Sequence, residues 1–259
     1  MTPAAASREA VAWSRLDQFH DLARFYDPLN AGKDYGAEAA RLASLARRYG
    51  RSRGRAWLDV ACGTGRHLAH LRHRYRVTGL DRSPEMLRIA RRRLPGVPLH
   101  QADMRTFRLE GSFDVVTCLF SAIGHLRTER DLLRTFRNFA GHLKPGGVVI
   151  VEPWIDPAEY RRGYVALVTH EDLRLTVARL SESARRRNHS ILRFHYLIAE
   201  RGHRVRYATV TDVGLLVARR RLLELMRTAG LSPRFLRRGL RSGRGLLVAS
   251  KPARPARGG

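Results

Sequence analysis

A short glycine-containing run at residues 58–65, LDVACGTG, is the part of this sequence best suited to hold a ligand. Glycine lets the chain turn sharply and lets a ligand lie against the backbone, because no Cβ stands in the way. The run is not a dinucleotide fingerprint, G-x-G-x-x-G, because Leu68 stands where the third glycine would be. It predicts a cofactor-binding turn at the end of a strand, and an ordinary tight strand-to-helix turn is the alternative.

Acidic residues follow the next two predicted strands. Asp81 comes 18 residues after Gly63, where a carboxylate can accept hydrogen bonds from both hydroxyls of a ribose. The alternative for Asp81 is a helix start together with Ser83. Asp103 and Met104 follow the third strand, where the carboxylate can accept from an adenine amino group and the methionine can pack on the ring. Such features at three successive strand ends predict one nucleoside site.

The elements that must position these loops alternate between strands and helices. A helix at 37–49 has alanines and leucines on one face, and short apolar strands then alternate with helical segments as far as residue 152. This rhythm predicts an α/β fold with a parallel, Rossmann-like sheet that is covered by helices on both faces. Predicted strands span 56–61, 98–100, 113–120 and 148–152, and one further strand ends at residue 81. Predicted helices span 66–74, 83–93 and 129–143.

The rhythm changes after Trp154. Three strand-like segments, 173–182, 189–200 and 203–213, follow one another without helices and predict an inserted antiparallel β subdomain. A helix at 219–229 and strands at 232–236 and 245–249 then close the chain. We expect four parts: a cofactor-binding core with an N-terminal helical lid at 1–153, the insert at 154–213 shaping the acceptor site, a return to the core at 214–251, and a disordered tail at 252–259.

The 259-residue chain is very basic, with a formal net charge of +26. A surface of this kind favours polyanions, and residues 201–259 alone carry 15 basic side chains against Asp212 and Glu224. Because 46 of the 49 basic residues are arginine, a compositional bias is the alternative explanation. No apolar run approaches a membrane span, and Cys62 and Cys118 have no metal-ligand spacing. We expect a cytoplasmic protein without a metal site.

Six segments of the chain carry a resemblance to a known family. They are YDPLNAGKDY (26–35), LDVACGTG (58–65), DMRTF (103–107), VTCLFSAIGHL (116–126), KPGGVVIVEPW (144–154) and SGRGLLVA (242–249). Together they resemble the class I S-adenosylmethionine (SAM)-dependent methyltransferases. They are most similar to the nucleotide-aminosugar N,N-dimethyltransferases of macrolide desosamine and mycaminose biosynthesis, and the similarity extends over nearly the whole chain.

The resemblance implies a SAM-dependent N-methyltransferase of antibiotic biosynthesis, with S-adenosylhomocysteine (SAH) as its product. Its acceptor would be the amine of a small molecule, foremost a nucleotide-activated aminosugar. The residues that it implies for the cofactor are Tyr26, Tyr35, Asp59, Ala61, Gly63, Gly65, Asp81, Arg82, Met86, Asp103, Met104 and Leu119.

On the acceptor side, the resemblance and the chemistry of imidazole single out His125. It either accepts the proton of the amine or positions the acceptor by hydrogen bonding. The residues implied for the acceptor are Phe19, His20, Trp154, Arg179, Ser181 and Arg244. The arginines suit a diphosphate, because a guanidinium donates paired hydrogen bonds. A homodimer is a further expectation, since related enzymes are often dimeric.

The chain departs from the family pattern in the acceptor half. A tyrosine that family members carry near the N-terminus is replaced in the run from Asp17 to His20, which has no hydroxyl group. The residues directly after Trp154 and the run Thr211–Leu216 also differ from the family pattern. Three alternatives therefore stay open: an O-methyltransferase acting on a natural-product hydroxyl, an RNA methyltransferase using the basic surface, and a SAM-binding protein without transfer activity.

Overall fold

The computed structural model describes residues 17–240 and 242–253, so the expectations for the first 16 residues and for 254–259 lie outside the described chain. Eleven strands form two sheets within the described residues. They are β1 Ala56–Val60, β2 Arg76–Asp81, β3 Leu99–Gln101, β4 Phe113–Cys118, β5 Leu143–Val151, β6 Val165–Glu171, β7 Leu175–Arg186, β8 His189–Glu200, β9 Arg206–Leu215, β10 Ser232–Leu236 and β11 Leu246–Ser250.

Side-chain caps start three of the helices, at the predicted place for the helices after Ser83 and Thr128 and two residues before the predicted start for the helix after Asp34. Asp34, Ser83 and Thr128 each accept a hydrogen bond from a backbone N–H in the first turn of the helix that follows. A 3₁₀ turn at Ala23–Phe25 runs into the first helix, and a second turn, Ala122–His125, follows β4. The helices are α1 Tyr26–Leu29, α2 Tyr35–Tyr49, α3 Arg66–Leu71, α4 Pro84–Arg93, α5 Glu129–His142 and α6 Arg219–Thr228.

The larger sheet has seven strands in the order β10-β11-β5-β4-β1-β2-β3. The five strands from β5 to β3 are parallel, whereas β11 is antiparallel to both of its neighbours. The sequence predicted the last strands but not their direction. Chain order reverses between β1 and β4, and this reversal creates a crevice at the carboxyl ends of these two strands.

Helices cover both faces of this sheet, as the sequence predicted. Leu42 and Leu45 of α2 and Leu68 and Leu71 of α3 pack on one face around Trp57, which is fully buried. The other face packs against α5 and α6, where Phe136 and Phe139 are fully buried. This burial of large apolar side chains on both faces provides the main stabilisation of the core.

Strands β6–β9 form a separate four-stranded antiparallel meander. The sequence predicted its last three strands but left β6 unassigned. Its inner face carries Phe194 and Val210, and it packs against Leu22, Phe25 and Leu29 of the N-terminal segment. The meander therefore holds this segment next to the crevice of the larger sheet.

A side chain at Gly79, in the middle of β2, is expected to be destabilising. An added Cβ would lie 2.5 Å from Leu99 Cδ2, 2.8 Å from Leu68 Cδ1 and 2.9 Å from Cys62 Sγ. Overpacking of this kind costs about 1–3 kcal/mol, so Gly79→Ala should lower the free energy of unfolding by about that amount in urea titrations. Gly141→Ala in α5 is the control, because its Cβ would meet nothing within 4 Å, and it should not destabilise the protein. Equal stability of both variants would contradict this packing.

Candidate functional site

A cavity of about 760 Å³ opens at the carboxyl ends of the parallel strands, where chain order reverses. Its walls come from the loops after β1, β2, β3 and β4, from residues 17–20 of the N-terminal segment and from strand β9. Twelve of the residues singled out from the sequence line it. They are Phe19, His20, Tyr26, Ala61, Gly63, Asp81, Arg82, Met86, Asp103, Met104, Leu119 and His125.

Asp81 joins the first two loops of the cavity. One carboxylate oxygen accepts from the backbone N–H of Gly63 at 2.8 Å, and the other accepts from that of Ser83 at 2.9 Å. Burial raises the pKa of this carboxyl group, while the two N–H donors act in the opposite direction. Each oxygen still has a lone pair free to accept a ligand hydroxyl.

Left-handed backbone conformations concentrate in the two loops that flank the crevice. Ala61 has φ 58° and Gly63 φ 56° after β1, and Phe120 and Ser121 have φ 53° and 60° after β4. For a residue other than glycine, adopting this conformation costs about 1 kcal/mol. The Phe120 N–H donates to Glu152 at 2.6 Å, and the Ser121 hydroxyl donates to the Pro153 carbonyl at 2.6 Å. These bonds hold the strained turn against the end of β5.

The side chain of Asp103 is engaged by a neighbouring arginine. Arg105 Nη2 donates to Asp103 at 2.7 Å, and Nη1 of the same arginine contacts Asp131 at 3.4 Å. The bonds from Arg105 lower the pKa of Asp103. Oδ1 of Asp103 also accepts from the backbone N–H of Arg105 at 2.8 Å, and Arg105 Nε lies 3.0 and 3.1 Å from the two carboxylate oxygens. Both oxygens are therefore already engaged by Arg105, and the contact of Asp103 with an adenine amino group stays a prediction. Sequence reasoning predicted Asp103 for the site but not its partner.

The lining fits the SAM that the resemblance implies. A Cβ at Gly63 would meet no protein atom within 4 Å and would project from a cavity-lining position into space that a ligand can fill. Met86, Met104 and Leu119 add apolar surface for a planar ring, and Met86 is held by the cap at Ser83. A buried carboxylate with free lone pairs, a bare backbone turn and an apolar slot are the features that a nucleoside requires.

His125 ends the turn Ala122–His125 after β4 and lines the cavity. Its Nδ1 lies 3.1 Å from Oδ1 of Asp212, a residue of β9. The second oxygen of Asp212 accepts from Gln18 Nε2 at 3.0 Å. The ring of Phe19 meets the imidazole edge-on, with the centroids 5.2 Å apart.

The N-terminal segment lies over the cavity and is anchored on both sides. The Ser83 hydroxyl donates to the Phe19 carbonyl at 2.6 Å, and Gln18 reaches Asp212 on the meander. Burial raises the pKa of Tyr26 well above its usual range, so its phenol is neutral. His20 is exposed and pairs with Asp21 at 3.1 Å, a contact that raises the pKa of this histidine. These contacts make residues 17–26 one wall of the site.

Three of the residues implied for the cofactor lie just outside the cavity lining. Gly65, at φ 76°, turns the chain into α3, and its missing Cβ leaves room for Leu94. Asp59 is 2% exposed and accepts from the Thr117 hydroxyl at 2.7 Å; burial raises its pKa to about 6. The ring of Tyr35 stacks edge-on against His67. Their roles in cofactor binding stay predictions.

Trp154 and Arg244 also lie outside the lining and contact each other. The guanidinium of Arg244 lies 4.6 Å from the Trp154 ring centroid and donates to the Ser121 hydroxyl at 2.9 Å. Trp154 Nε1 donates to Ser190 at 2.8 Å, and this bond connects the end of β5 to the meander. Both side chains therefore support the strained turn after β4.

Arg179 and Ser181 share the inner face of the meander, as their alternate positions on β7 require. The guanidinium of Arg179 lies 5.0 Å from the Phe194 ring centroid, and its buried Nε has no hydrogen-bond partner among the described residues. Ser181 donates to the Ala166 carbonyl at 3.1 Å. Neither lines the cavity, and their roles in acceptor binding stay predictions.

Sequence reasoning missed several residues of the site, foremost Gln18, Arg105 and Asp212. A signal for Asp212 was present, because it is one of only two acidic residues in the arginine-rich stretch 201–259. A lone carboxylate on a strand in such a stretch needs an explanation. Gln18 carries no comparable signal, since its partner Asp212 lies 194 residues away, and Arg105 is one of 46 arginines.

Comparison with known proteins gives consistent results. Residues 58–147 match a family model described as a methyltransferase domain. The chain is 42% identical over 246 residues to the dTDP-3-amino-3,6-dideoxy-alpha-D-glucopyranose N,N-dimethyltransferase of Streptomyces fradiae, covering 94% of this chain and 96% of that protein. The crystal structure of DesVI from Streptomyces venezuelae superposes with a TM-score of 0.84 at 41% identity, covering 90% of this chain and 99% of that one. SAM-bound CalS10, an amino pentose methyltransferase from Micromonospora echinaspora, gives a TM-score of 0.79 at 35% identity, with coverages of 89% and 96%.

Proposed function

Because the chain belongs to the dTDP-aminosugar N,N-dimethyltransferases, a group of SAM-dependent methyltransferases, we propose that it methylates the amine of a dTDP-linked aminosugar in antibiotic biosynthesis. The family and the Rossmann-like methyltransferase fold predicted from the sequence motifs are confirmed. The observation that carries the proposal is 42% identity over 94% of the chain, with a cavity at the strand ends that fits the cofactor.

SAM supplies a methyl group on a sulfonium, which an amine nitrogen displaces directly. The chain's own residues then have to bind and orient, and orientation of reacting groups is worth roughly 7–11 kcal/mol. Asp81 is placed to accept from the ribose, and the Gly63 turn offers bare backbone to the ligand. Asp103, Met86, Met104 and Leu119 provide the surroundings of the adenine ring.

His125 is the proposed catalytic residue. It lines the cavity and is the histidine nearest to the strained turn after β4, whereas His20 is exposed at the mouth. An ammonium has no lone pair, so the acceptor amine must lose a proton before it can attack. An imidazole can both accept and release a proton, which suits this task.

We propose that the diphosphate of the acceptor lies along the inner face of the meander. Arg179 supports this placement, because its buried Nε donor has no partner among the described residues and a buried unpaired donor is costly. Phe19 lies in the run Asp17–His20, which lacks the tyrosine hydroxyl of family members, and its ring, edge-on to His125, offers apolar surface to the sugar. Ser181, His20, Trp154 and Arg244 complete the set proposed for the acceptor half.

Incubation of the purified protein with SAM and a panel of dTDP-aminosugars tests the function. Mass spectrometry should detect products that carry one and then two added methyl groups, and SAH should form in proportion. Matched dTDP-sugars with a hydroxyl in place of the amine test O-methylation, and bulk RNA at low salt tests the third substrate class. Methylation of the hydroxyl sugars or of RNA alone, or no SAH with any acceptor, would overturn the proposal.

We also propose that two copies of the chain associate through the outer face of the meander. Four large side chains on this face are exposed: Leu167 by 63%, Leu180 by 43%, Leu197 by 53% and Tyr207 by 53%. Leu167 is paired with Leu180, and Leu197 with Tyr207. Leu180 stands opposite His195, two residues from Leu197 on the same strand, so the two pairs are diagonal neighbours on this face. A contiguous apolar patch of this kind indicates an interface, and one patch can meet its own copy across a two-fold axis.

Sedimentation measurements test this association. The wild-type protein should be a dimer, and the double variant Leu180→Glu, Leu197→Glu should be a monomer, because it places charges in the centre of the contact. Leu173→Glu is the matched control, since Leu173 is 91% exposed in the turn between β6 and β7 and lies beyond the four-residue patch. A monomeric wild-type protein, or a dimeric double variant, would contradict the proposal.

As part of the same proposal, we place the protein in the cytoplasm, where SAM and nucleotide sugars are available. Among the helices of the described residues, none has the length and apolar character to cross a membrane.

A further inference from the structure

A second cavity, of about 430 Å³, opens at the amino ends of the parallel strands, at the opposite edge of the sheet from the cavity that fits the cofactor. It is lined by the end of α2, the segment 50–55, the turn before β2 and the start of β4. Strand β1 runs between the two cavities, and its five residues separate them by about 15 Å at roughly 3.3 Å per residue. The second cavity therefore belongs to neither half of the site described above.

Four exposed arginines line this second cavity, which we call the basic cavity. They are Arg47 in the last turn of α2, Arg53 and Arg55 in the segment before β1, and Arg74 in the turn before β2. Within residues 17–240 and 242–253, the arginines that form ion pairs with carboxylates are other ones. Like charges gathered in one concave surface create a positive potential that attracts anions.

The carboxylate of Asp114 also lines the basic cavity, but it is already paired. It accepts from the N–H groups of Gly54 at 3.1 Å and Ala56 at 2.9 Å, and Lys144 Nζ donates to it at 2.9 Å. Burial acts to raise the pKa of Asp114, but the bonds from Lys144 and the backbone outweigh it and lower the pKa. Lys144 supplies the counter-charge of this carboxylate, so the four arginines keep their excess of positive charge.

The segment 50–55, which carries two of these arginines, is held in place at both ends. The N–H groups of Arg51 and Ser52 donate to the Gly146 carbonyl at 2.7 and 3.1 Å, and the backbone bonds to Asp114 hold the other end. The backbone is therefore fixed while the guanidinium groups lack carboxylate partners. Such a segment is preorganised for a ligand, because little backbone freedom is lost on binding.

We propose that the basic cavity binds a small molecule with two or three linked phosphate groups, either a nucleoside triphosphate or a free polyphosphate. A guanidinium donates paired hydrogen bonds to phosphate oxygens, and linked phosphates offer enough oxygens for several arginines at once. The volume lies within the range of about 300–1,000 Å³ that is typical of small-molecule sites. The half-buried ring of Tyr75 lines the same cavity and offers apolar surface to a nucleoside. This inference does not depend on the acceptor of the enzyme.

Isothermal titration of the full chain with inorganic tripolyphosphate and with ATP tests the site. The protein is first saturated with SAH, so that ATP cannot enter the cofactor cavity. Both probes should bind, and their affinity should fall as salt is raised, because salt screens exposed charges. Tighter binding of ATP than of tripolyphosphate identifies a nucleoside triphosphate as the ligand class, and equal affinities identify a free polyphosphate.

Variants of the lining arginines locate the binding. The double variant Arg53→Gln, Arg55→Gln should bind both probes about 10- to 100-fold more weakly, because it removes two charged donors. Arg74→Gln changes a different segment and should weaken binding by roughly tenfold. Both changes are at exposed side chains, so the variants should fold, and their SAH affinity should equal that of the wild-type protein.

The double variant Arg134→Gln, Arg137→Gln is the matched control. It also removes two exposed arginines, but from α5, which covers the other face of the sheet. Its affinity for both probes should change by less than about twofold at 0.15 M salt, where charges more than about 8 Å away are largely screened. Equal weakening by this control would show a general effect of charge and would contradict a specific site.

Two further results would overturn the inference. The first is no binding of either probe at low salt, or binding that neither the Arg53/Arg55 double variant nor Arg74→Gln weakens. The second is an RNA oligonucleotide that binds and depends on these arginines while both probes fail to bind, which would assign the basic cavity to nucleic acid. A wild-type protein that consumes no SAM with any aminosugar would instead overturn the proposed function and leave this site unaffected.

Discussion

Replacement of Asp81 by alanine should weaken SAH binding by about 10²- to 10⁴-fold. The carboxylate accepts from the N–H groups of Gly63 and Ser83 and is proposed to accept from the ribose, and hydrogen bonds to a charged group contribute about 1.5–3 kcal/mol each. The substitution removes the ligand contact and also releases the Gly63 turn from the loop after β2. Isothermal titration of the purified variant with SAH measures the change.

Asp114→Ala is the matched control for this effect. Asp114 also accepts two backbone N–H bonds, from Gly54 at 3.1 Å and Ala56 at 2.9 Å, but it lies at the start of β4 and outside the lining of the site. This variant should lose stability while its SAH affinity is retained. If Asp81→Ala bound SAH as tightly as the wild-type protein, the proposed cofactor site would be wrong.

The cofactor half was the more predictable part of the molecule. Each of its features lies on one short run: a strand, a turn with Gly63 and the helix that follows, or a strand that ends in Asp81. Local signals of this kind depend on hydrophobic periodicity and turn chemistry, which a single sequence displays. Parallel strands then bring their carboxyl ends to the same edge, so the assembly of the site follows from the fold class.

The acceptor half depends on contacts between distant segments, which no local pattern displays. Gln18 and Asp212 are 194 residues apart, and Arg244 supports a turn that begins 123 residues earlier. Strand β6 was missed because an apolar residue, Leu167, stands on its solvent-facing side, where 63% of it is exposed. The sequence of this strand therefore lacks the alternation of apolar and polar residues by which a half-buried strand is predicted. Trp154 and Arg244 were predicted for the acceptor from resemblance, and the structure places them in support of the turn after β4.

Replacement of His125 by asparagine should lower kcat by about 10²- to 10⁴-fold, the contribution typical of a positioned general base. Asparagine keeps a polar side chain of similar reach but cannot accept a proton at neutral pH. The affinity for SAH should change little, because the Asp81 and Gly63 contacts are untouched. Steady-state kinetics with the best dTDP-aminosugar of the panel, together with SAH titration, measure both quantities.

The pH dependence of this variant separates the two roles that an imidazole can have. If His125 removes the proton, kcat/KM of His125→Asn should rise about tenfold per pH unit until the acceptor amine is neutral in solution. The reason is that the variant can use only acceptor molecules whose amine has already lost its proton to solvent. A purely orienting role would leave a deficit that pH does not repair. His170→Asn is the control, since His170 has a similar aspartate partner on an exposed strand and should retain full activity. A His125→Asn variant with wild-type kcat would remove this residue from the chemistry, and the proton would then have to leave the amine in solution before binding.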